Sequence, residues 1–267
     1  MLRTGISVPL SGDGEFHVPS IGEFFPGGLL FIGTPFEMSR INLIMVLMTA
    51  VLVVFFGLAF AKPRFVPSKV QNTAELGLDF VRVNIAEEII GHDGHKFVGY
   101  LTTLFFMIFA FNITSIIPGL QIAATSTIAV PFMLAMLSYF VFNAAGMSAN
   151  GVVGYLKANL FPPGLPIPIY FLVTPIELVA TFVLRPITLT IRLLANMMAG
   201  HLLLVLFFSA THFMVFGLDG VLKIFGLASF AAGFAFTLFE VLVAFLQAYI
   251  FTMLTAVYIS GAVAEEH

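Results

Sequence analysis

A chain of 267 residues that is 60% hydrophobic and only 9% charged, with a mean hydropathy of +1.06, is not a soluble globular domain; such a domain carries about 25% charged residues. A net charge of −3 is too small to argue for nucleic acid or for acidic substrates, and the absence of cysteine excludes disulfides, thiol chemistry and cysteine metal sites. The composition is that of a polytopic membrane protein. It has 32 Phe, 6 Tyr and no Trp, so any interfacial aromatic belt must use Tyr and Phe.

Residues 1–40 form a polar segment rich in Gly and Pro, with Asp13, Glu15, Glu23 and Glu37 scattered through it. The segment lacks the compact apolar core and small-residue cleavage site of a secretory signal, so the first membrane helix is expected to act as its own uncleaved signal. Everything from 41 to 267 reads as one membrane domain. Ile41 to Ala61 has no charged residue, and at 1.5 Å per residue it reaches about 30 Å, one hydrocarbon thickness. Lys62-Pro63-Arg64 ends it. Lys62, Arg64, Lys69, Arg82 and Lys96 follow, whereas only Arg3 and Arg40 precede it. The positive-inside rule therefore predicts an N-terminus outside and this loop in the cytoplasm.

Within the loop, Leu76, Phe80, Val83, Ile85 and Ile89 roughly follow a helical period, which predicts an amphipathic cytoplasmic helix over 73–90. Glu87, Glu88, His92, Asp93 and His95 match no ligand spacing, and a solvated helix end before the Gly91 and Gly94 turn accounts for them better than a metal site. Phe97 to Leu156 has no charged side chain, and Pro118-Gly119 divides it into a span from Phe97 to Ile117 and a second from about Ile128 to Ala145. Asn112, Thr114 and Ser115, near the outer end of the first, suit either hydrogen bonding between packed helices or an aqueous vestibule. Residues 148–166 are expected to be a cytoplasmic loop.

Two apolar segments remain, Pro168 to Phe216 and Val221 to Val263, each about twice the length of an upright span. Past the opening Pro168, the only prolines in them are Pro175 and Pro186, so two long oblique helices fit better than four upright ones. Gly217-Leu-Asp-Gly220 between them has a favoured turn composition, and would lie outside, leaving Glu265-Glu266-His267 in the cytoplasm. The predicted fold is thus an all-α polytopic membrane protein. It has about three upright transmembrane helices, a cytoplasmic amphipathic helix and two long tilted membrane helices forming a hairpin.

The first long segment contains Arg185-Pro-Ile-Thr-Leu-Thr-Ile-Arg192-Leu-Leu-Ala-Asn196-Met-Met-Ala-Gly-His201. A guanidinium cannot become neutral at any useful pH, and holding one at mid-membrane costs about 2.5–3.5 kcal/mol on insertion scales. Arg192 therefore demands a partner. Arg185, Leu189, Arg192, Asn196 and Ala199 are expected along one face, with Arg185 close enough to the boundary to snorkel and His201 turned to the opposite side. Thr237, Glu240, Ala244, Gln247, Phe251, Thr255 and Tyr258 form a second stripe on the last helix. Glu240 is its only acid, and a carboxylic acid, unlike a guanidinium, can exchange its charge for a proton. An imidazole such as that of His201 can also take up and release a proton. Glu240 and His201, flanked by Gln247 and Asn196, could relay a proton; equally, Glu240 and Arg192 could neutralise each other as a structural ion pair. The residues alone leave both open.

The Arg185–His201 run resembles the signature of subunit a of F-type ATP synthases. Leu246-Gln247-Ala-Tyr-Ile-Phe251, the ending Tyr258-Ile-Ser and Glu265-Glu266-His267 match the last helix of that family. Phe80-Val-Arg-Val-Asn-Ile-Ala-Glu-Glu-Ile and Leu160-Phe-Pro-Pro-Gly are similar to its bacterial members. The similarity covers nearly the whole chain after residue 30. It implies a proton-translocating stator subunit in the bacterial cell membrane, with no catalytic site, cofactor or metal of its own. Its partners would be a ring of c subunits, subunit b of the peripheral stalk, other ATP synthase subunits, the lipid bilayer and protons. Arg192 falls on the family's essential arginine, which would attract the deprotonated carboxylate of each passing c subunit and block a proton leak between two offset half-channels. His201, Glu240, Asn196 and Gln247 fall on positions associated with the outer half-channel, His201 and Glu240 being exchanged relative to some members. Glu177 lies near a recurrent family acid. The rival expectation is a self-contained secondary transporter or ion channel with an Arg192–Glu240 pair, but no internal repeat or symmetric pair of broken helices supports it.

Overall fold

The computed structural model describes residues 28–30, 38–62, 66–117, 120, 122–161, 167–217, 220 and 223–263. The acids and prolines of residues 1–27, Arg64, Pro118-Gly119, Asp219 and Glu265-Glu266-His267 lie outside them. The described chain is helical apart from a short antiparallel pair, β1 (Gly28–Leu30) with β2 (Met38–Ser39). Four helices are long and apolar enough to cross a membrane, and a fifth is shorter.

The first is α1 (Arg40–Phe60), begun by Ser39, whose Oγ accepts from the Asn42 amide at 3.4 Å. Only Ile41, Ile44 and Ala59 of it are buried, while Leu43, Val46, Val51, Val54 and Leu58 stand exposed, as expected of a helix wetted by lipid. The predicted amphipathic helix is present and starts earlier than its apolar period suggested. Ser68 caps α2 (Lys69–Val81), and the helix continues as a π-helical stretch over Arg82–Ile90 and a 3-10 stretch over Gly91–Lys96. Lys96 Nζ bonds Asp93 Oδ1 at 2.6 Å, which holds the Asp93 carboxyl below the usual carboxylate range. No cluster of three metal-binding side chains occurs among the described residues.

The next span, α3 (Val98–Ile113), is shorter than the apolar run that predicts it and ends in turns stitched by Thr114 Oγ1 to Phe111 O and Ile122 O. It packs on the last helix through Phe105 and Phe109, both within 6.3 Å of the Phe245 ring. By contrast, α4 (Ala129–Leu160) is two helices joined by a kink at Gly151: the first runs past the predicted end at Ala145, and the expected loop from 148 is helical on either side of Gly151 as far as Leu160. Gly151 takes φ 69° and ψ 163°, a conformation that favours glycine. The chain folds back there, so that Tyr155 reaches Asn143 Oδ1 at 2.9 Å and lays its ring on Gly146.

The two overlong segments are the predicted hairpin. α5 (Ile167–Val179) runs through Pro175 into a π-helical stretch (Ala180–Leu184) and on as α6 (Arg185–Phe216). Pro186 lacks an N–H for the helical ladder; the π stretch absorbs that break and the helix goes on. Gly217 ends α6 with its amide on Phe213 O at 2.7 Å, and α7 (Lys223–Val263) returns antiparallel. On α7, Gly226, Gly233, Glu240 and Gln247 recur every seven residues and are all buried. A Cβ at Gly226 would stand 2.8 Å from Val215 Cγ2, and one at Gly233 would stand 3.1 Å from Phe207 Cβ. Small residues thus let the two backbones close in the half of the hairpin nearest the turn.

Candidate functional site

The α6–α7 seam carries its titratable groups where those glycines would otherwise continue. The backbone of Gly200 lies against Glu240, and a Cβ on Gly200 would collide with Glu240 Oε1. Glu240 is 2% exposed, and its Oε2 has no hydrogen-bond partner among the described residues. His201, next along α6, is 6% exposed, and Gln247, two turns further along α7, is 4% exposed. All three groups are buried, Glu240 within the α6–α7 seam.

Arg192 and Asn196 do not share it. Both are exposed, as are Thr188, Ile191, Ala195 and Ala199, so the outer side of α6 is a ridge of small and apolar residues with one guanidinium and one amide. Leu189, expected on that face, is instead in the core with Leu193 and Met197. The reason is angular: Leu189 is three residues from Arg192, about 60° round the helix, enough to cross from the outer ridge to the seam. Between the Gly200–Glu240 contact and the placement of Arg185 over the Tyr258 ring, the antiparallel register sets Arg192 level with the turn from Ala248 to Phe251. Glu240 is therefore at least about 12 Å from Arg192 along the seam. No ion pair joins them among the described residues, and the paired arrangement that a self-contained transporter would use is not formed.

Arg185 is not a lone snorkelling cation. Its guanidinium lies 5.0 Å from the Tyr258 ring centroid and 5.9 Å from that of Phe142, a half-buried cation held on aromatic faces from α7 and α4. Glu177 is half-buried on α5. The π stretch between Glu177 and Arg185 offsets the register of α5 against α6, so spacing from Arg192 could not place it. Asn112 and Ser115 are buried at the end of α3, where Thr125 Oγ1 donates to Asn112 Oδ1 at 2.5 Å and Ser115 Oγ to Asn112 O at 2.9 Å. Asn112 Nδ2 has no partner among the described residues. Helical spacing predicts Gly200 with Ala195 and Ala199 as small residues on the Arg192 face; the structure keeps the two alanines exposed and turns Gly200 into the seam against Glu240. Sequence reasoning missed Asn143 and Tyr155.

A multi-pass α-helical membrane protein, built on a long antiparallel hairpin with a buried acid and an outward arginine, is the class that fold and site define. The family model described as ATP synthase A chain matches residues 42–260. A protein named ATP synthase subunit a from Rhodococcus erythropolis (strain PR4 / NBRC 100887) is 51% identical over 264 residues, covering 98% of this chain and 96% of that one. One of the same name from Nocardioides sp. (strain ATCC BAA-499 / JS614) is 41% identical over 262 residues, covering 96% and 93%. Another from Streptomyces lividans is 40% identical over 227 residues, covering 84% and 79%. The chain belongs to the ATP synthase subunit a family, the proton-translocating subunits of that complex's membrane sector.

Proposed function

We propose that this chain is the stator that couples proton flow to rotation of a c-ring. Two half-channels carry protons to and from the ring carboxylate, and Arg192 stands between them. The observation that carries this reading is the outward placement of Arg192 on a ridge lined by Ala195 and Ala199. A permanent cation facing outward at membrane depth needs an anion from another chain, and small neighbours let a partner helix approach closely. The carboxylate of a c subunit supplies that anion when deprotonated, and a fixed guanidinium repels a proton passing straight through. Glu240, His201 and Gln247 form the outer half-channel inside the hairpin, with Asn196 at its edge beside the ridge. Asn112 and Ser115 lie on its vestibule side, while Glu177 and Arg185 belong to the inner side.

The same reading sets the chain in a bacterial plasma membrane. Residues 1–40 are an extracytoplasmic segment, residues 41–267 a single membrane domain and the C-terminus is cytoplasmic, as the Lys and Arg excess after α1 requires. Subunit b of the peripheral stalk and the other ATP synthase subunits complete the complex. Membrane vesicles carrying Arg192→Ala test the mechanism. ATP-driven acidification is expected to be lost, and the passive proton leak after stripping the peripheral catalytic sector to be retained or raised. Normal acidification by that variant would overturn the reading.

A further inference from the structure

Arg192 is not the only cation on its side of α6. Arg185 stands seven residues earlier, so it leaves the helix within about 20° of the same side and about 10 Å nearer to α5. The two are held differently. Arg192 is exposed, whereas Arg185 is half-buried, its guanidinium seated on the Tyr258 and Phe142 rings. Those rings pack on each other at 5.6 Å, and Tyr139 meets Phe142 edge-on at 5.4 Å. The seat is rigid because α4 and α7 are tied beside it, toward the C-terminal end of α7. Asn150 Nδ2 donates to Ala262 O at 3.1 Å, and a Cβ on Gly146 would stand 3.0 Å from Ala262 Cβ. Tyr155 covers the other side of Gly146 and donates to Asn143 Oδ1.

Aromatic faces hold a cation without cancelling its charge. No carboxylate pairs with Arg185 among the described residues. The titratable groups around it are the phenols of Tyr258 from α7 and of Tyr155 and Tyr139 from α4. A phenol, unlike a carboxylate, supplies no counter-charge near neutral pH. Glu177, the acid on the same helical run, is half-buried on α5.

We infer that Arg185 is a second fixed charge of the proton path, one that biases exchange on the inner side toward proton release, with Tyr258 and Phe142 as the positioning residues that keep it there. The inference rests on the stator reading above. A fixed cation raises the free energy of any further positive charge near it, most steeply where the surroundings are apolar. A ring carboxyl within its reach gives up a proton more readily and takes one back less readily. In the synthesis direction this step comes before the bare carboxylate meets Arg192.

Inverted membrane vesicles put the inner side in the bath. After the peripheral catalytic sector is stripped and an inside-negative potassium diffusion potential is applied, passive proton uptake is recorded against bath pH. Each variant is normalised to its own maximum. Uptake falls as the bath becomes alkaline, and Arg185→Gln is expected to move the midpoint of that fall up by about half to one pH unit. Arg185→Lys keeps the cation and should keep the midpoint. Tyr258→Leu frees the guanidinium to reach water, where its charge is screened, and should raise the midpoint by a smaller step. An unmoved midpoint in Arg185→Gln, or an equal rise in Arg185→Lys, would overturn the inference. The rise should persist in a Glu177→Gln background, since the ring carboxyl is the group acted on, and its disappearance there would overturn the inference as well. If Arg185→Gln does not assemble, Tyr258→Leu decides, an unmoved midpoint counting against the inference. Failure of the stator reading is seen separately, as normal ATP-driven acidification by Arg192→Ala.

Discussion

Gly200 and Glu240 occupy one volume: the place of the Cβ that Gly200 lacks is where Glu240 sets its Oε1. The close approach of α6 to α7 at this point is what lets a carboxyl group lie inside a seam made otherwise of apolar and small side chains. Because Gly200 is helical and has no positive φ, its role here is one of space and not of backbone freedom.

Gly200→Ala is expected to displace the Glu240 carboxyl and part the two helices locally, at about 1–3 kcal/mol of overpacking. Vesicles of this variant should assemble the complex yet acidify more slowly with ATP. Unchanged acidification would show that the position of the carboxyl in the seam does not matter.

Glu240→Gln keeps the shape of the side chain and removes its exchangeable proton. Proton pumping should fall while thermal stability holds or rises, since a buried ionisable group with an unpartnered oxygen is costly to keep. A variant that loses stability and pumping together would mark Glu240 as structural.

Arg192 divides the same two readouts in a sharper way. Its side chain is exposed in this chain, so Arg192→Ala should shift the unfolding of the isolated subunit by no more than about 0.5 kcal/mol, as for other surface changes. Its effect on coupling should be complete. A large loss of stability in the isolated subunit would mean that the arginine is held within the chain, not presented to a partner.

The fold-back of α4 can be tested without touching any of these groups. Tyr155→Phe removes the hydroxyl that bonds Asn143 Oδ1 and leaves a nearly buried acceptor, a loss of about 1–3 kcal/mol. Gly151→Ala forces a side chain into the left-handed region and should cost about 1–2 kcal/mol. Both are read by thermal unfolding in detergent. If neither lowers stability, the stretch after Gly151 is not docked as described.

Much of the architecture was legible because a membrane imposes its own period on a sequence. The spans, an amphipathic helix over 73–90 and the overlong hairpin follow from apolar run length, apolar period and the scarcity of prolines. The misjudged parts have local causes. The loop expected from 148 is mostly helix because Gly151 permits a reversal without ending the helical hydrogen bonding on either side, and a reversal of that kind leaves no break in composition. A π stretch before Pro186 also adds an offset between Glu177 and Arg192 that 3.6-residue counting does not contain.

The titratable side chains themselves were also readable from the chain, since an arginine, an acid and a histidine in apolar helices are costly wherever they fall. Helical spacing also set His201 opposite Arg192 and Asn196, but which side is enclosed was not readable. Arg192 and Asn196 face outward while Glu240, His201 and Gln247 face inward, and periodicity shows only that residues share a side, never which side meets the neighbouring helix. That choice rests on the close approach at Gly226, Gly233 and Gly200, which sets the antiparallel register. By itself the sequence determined a membrane-embedded helical chain with these charges at these depths. Only tertiary packing decided that the acid is enclosed and the arginine presented, because the turn of each helix about its own axis is set by which surfaces can close on each other.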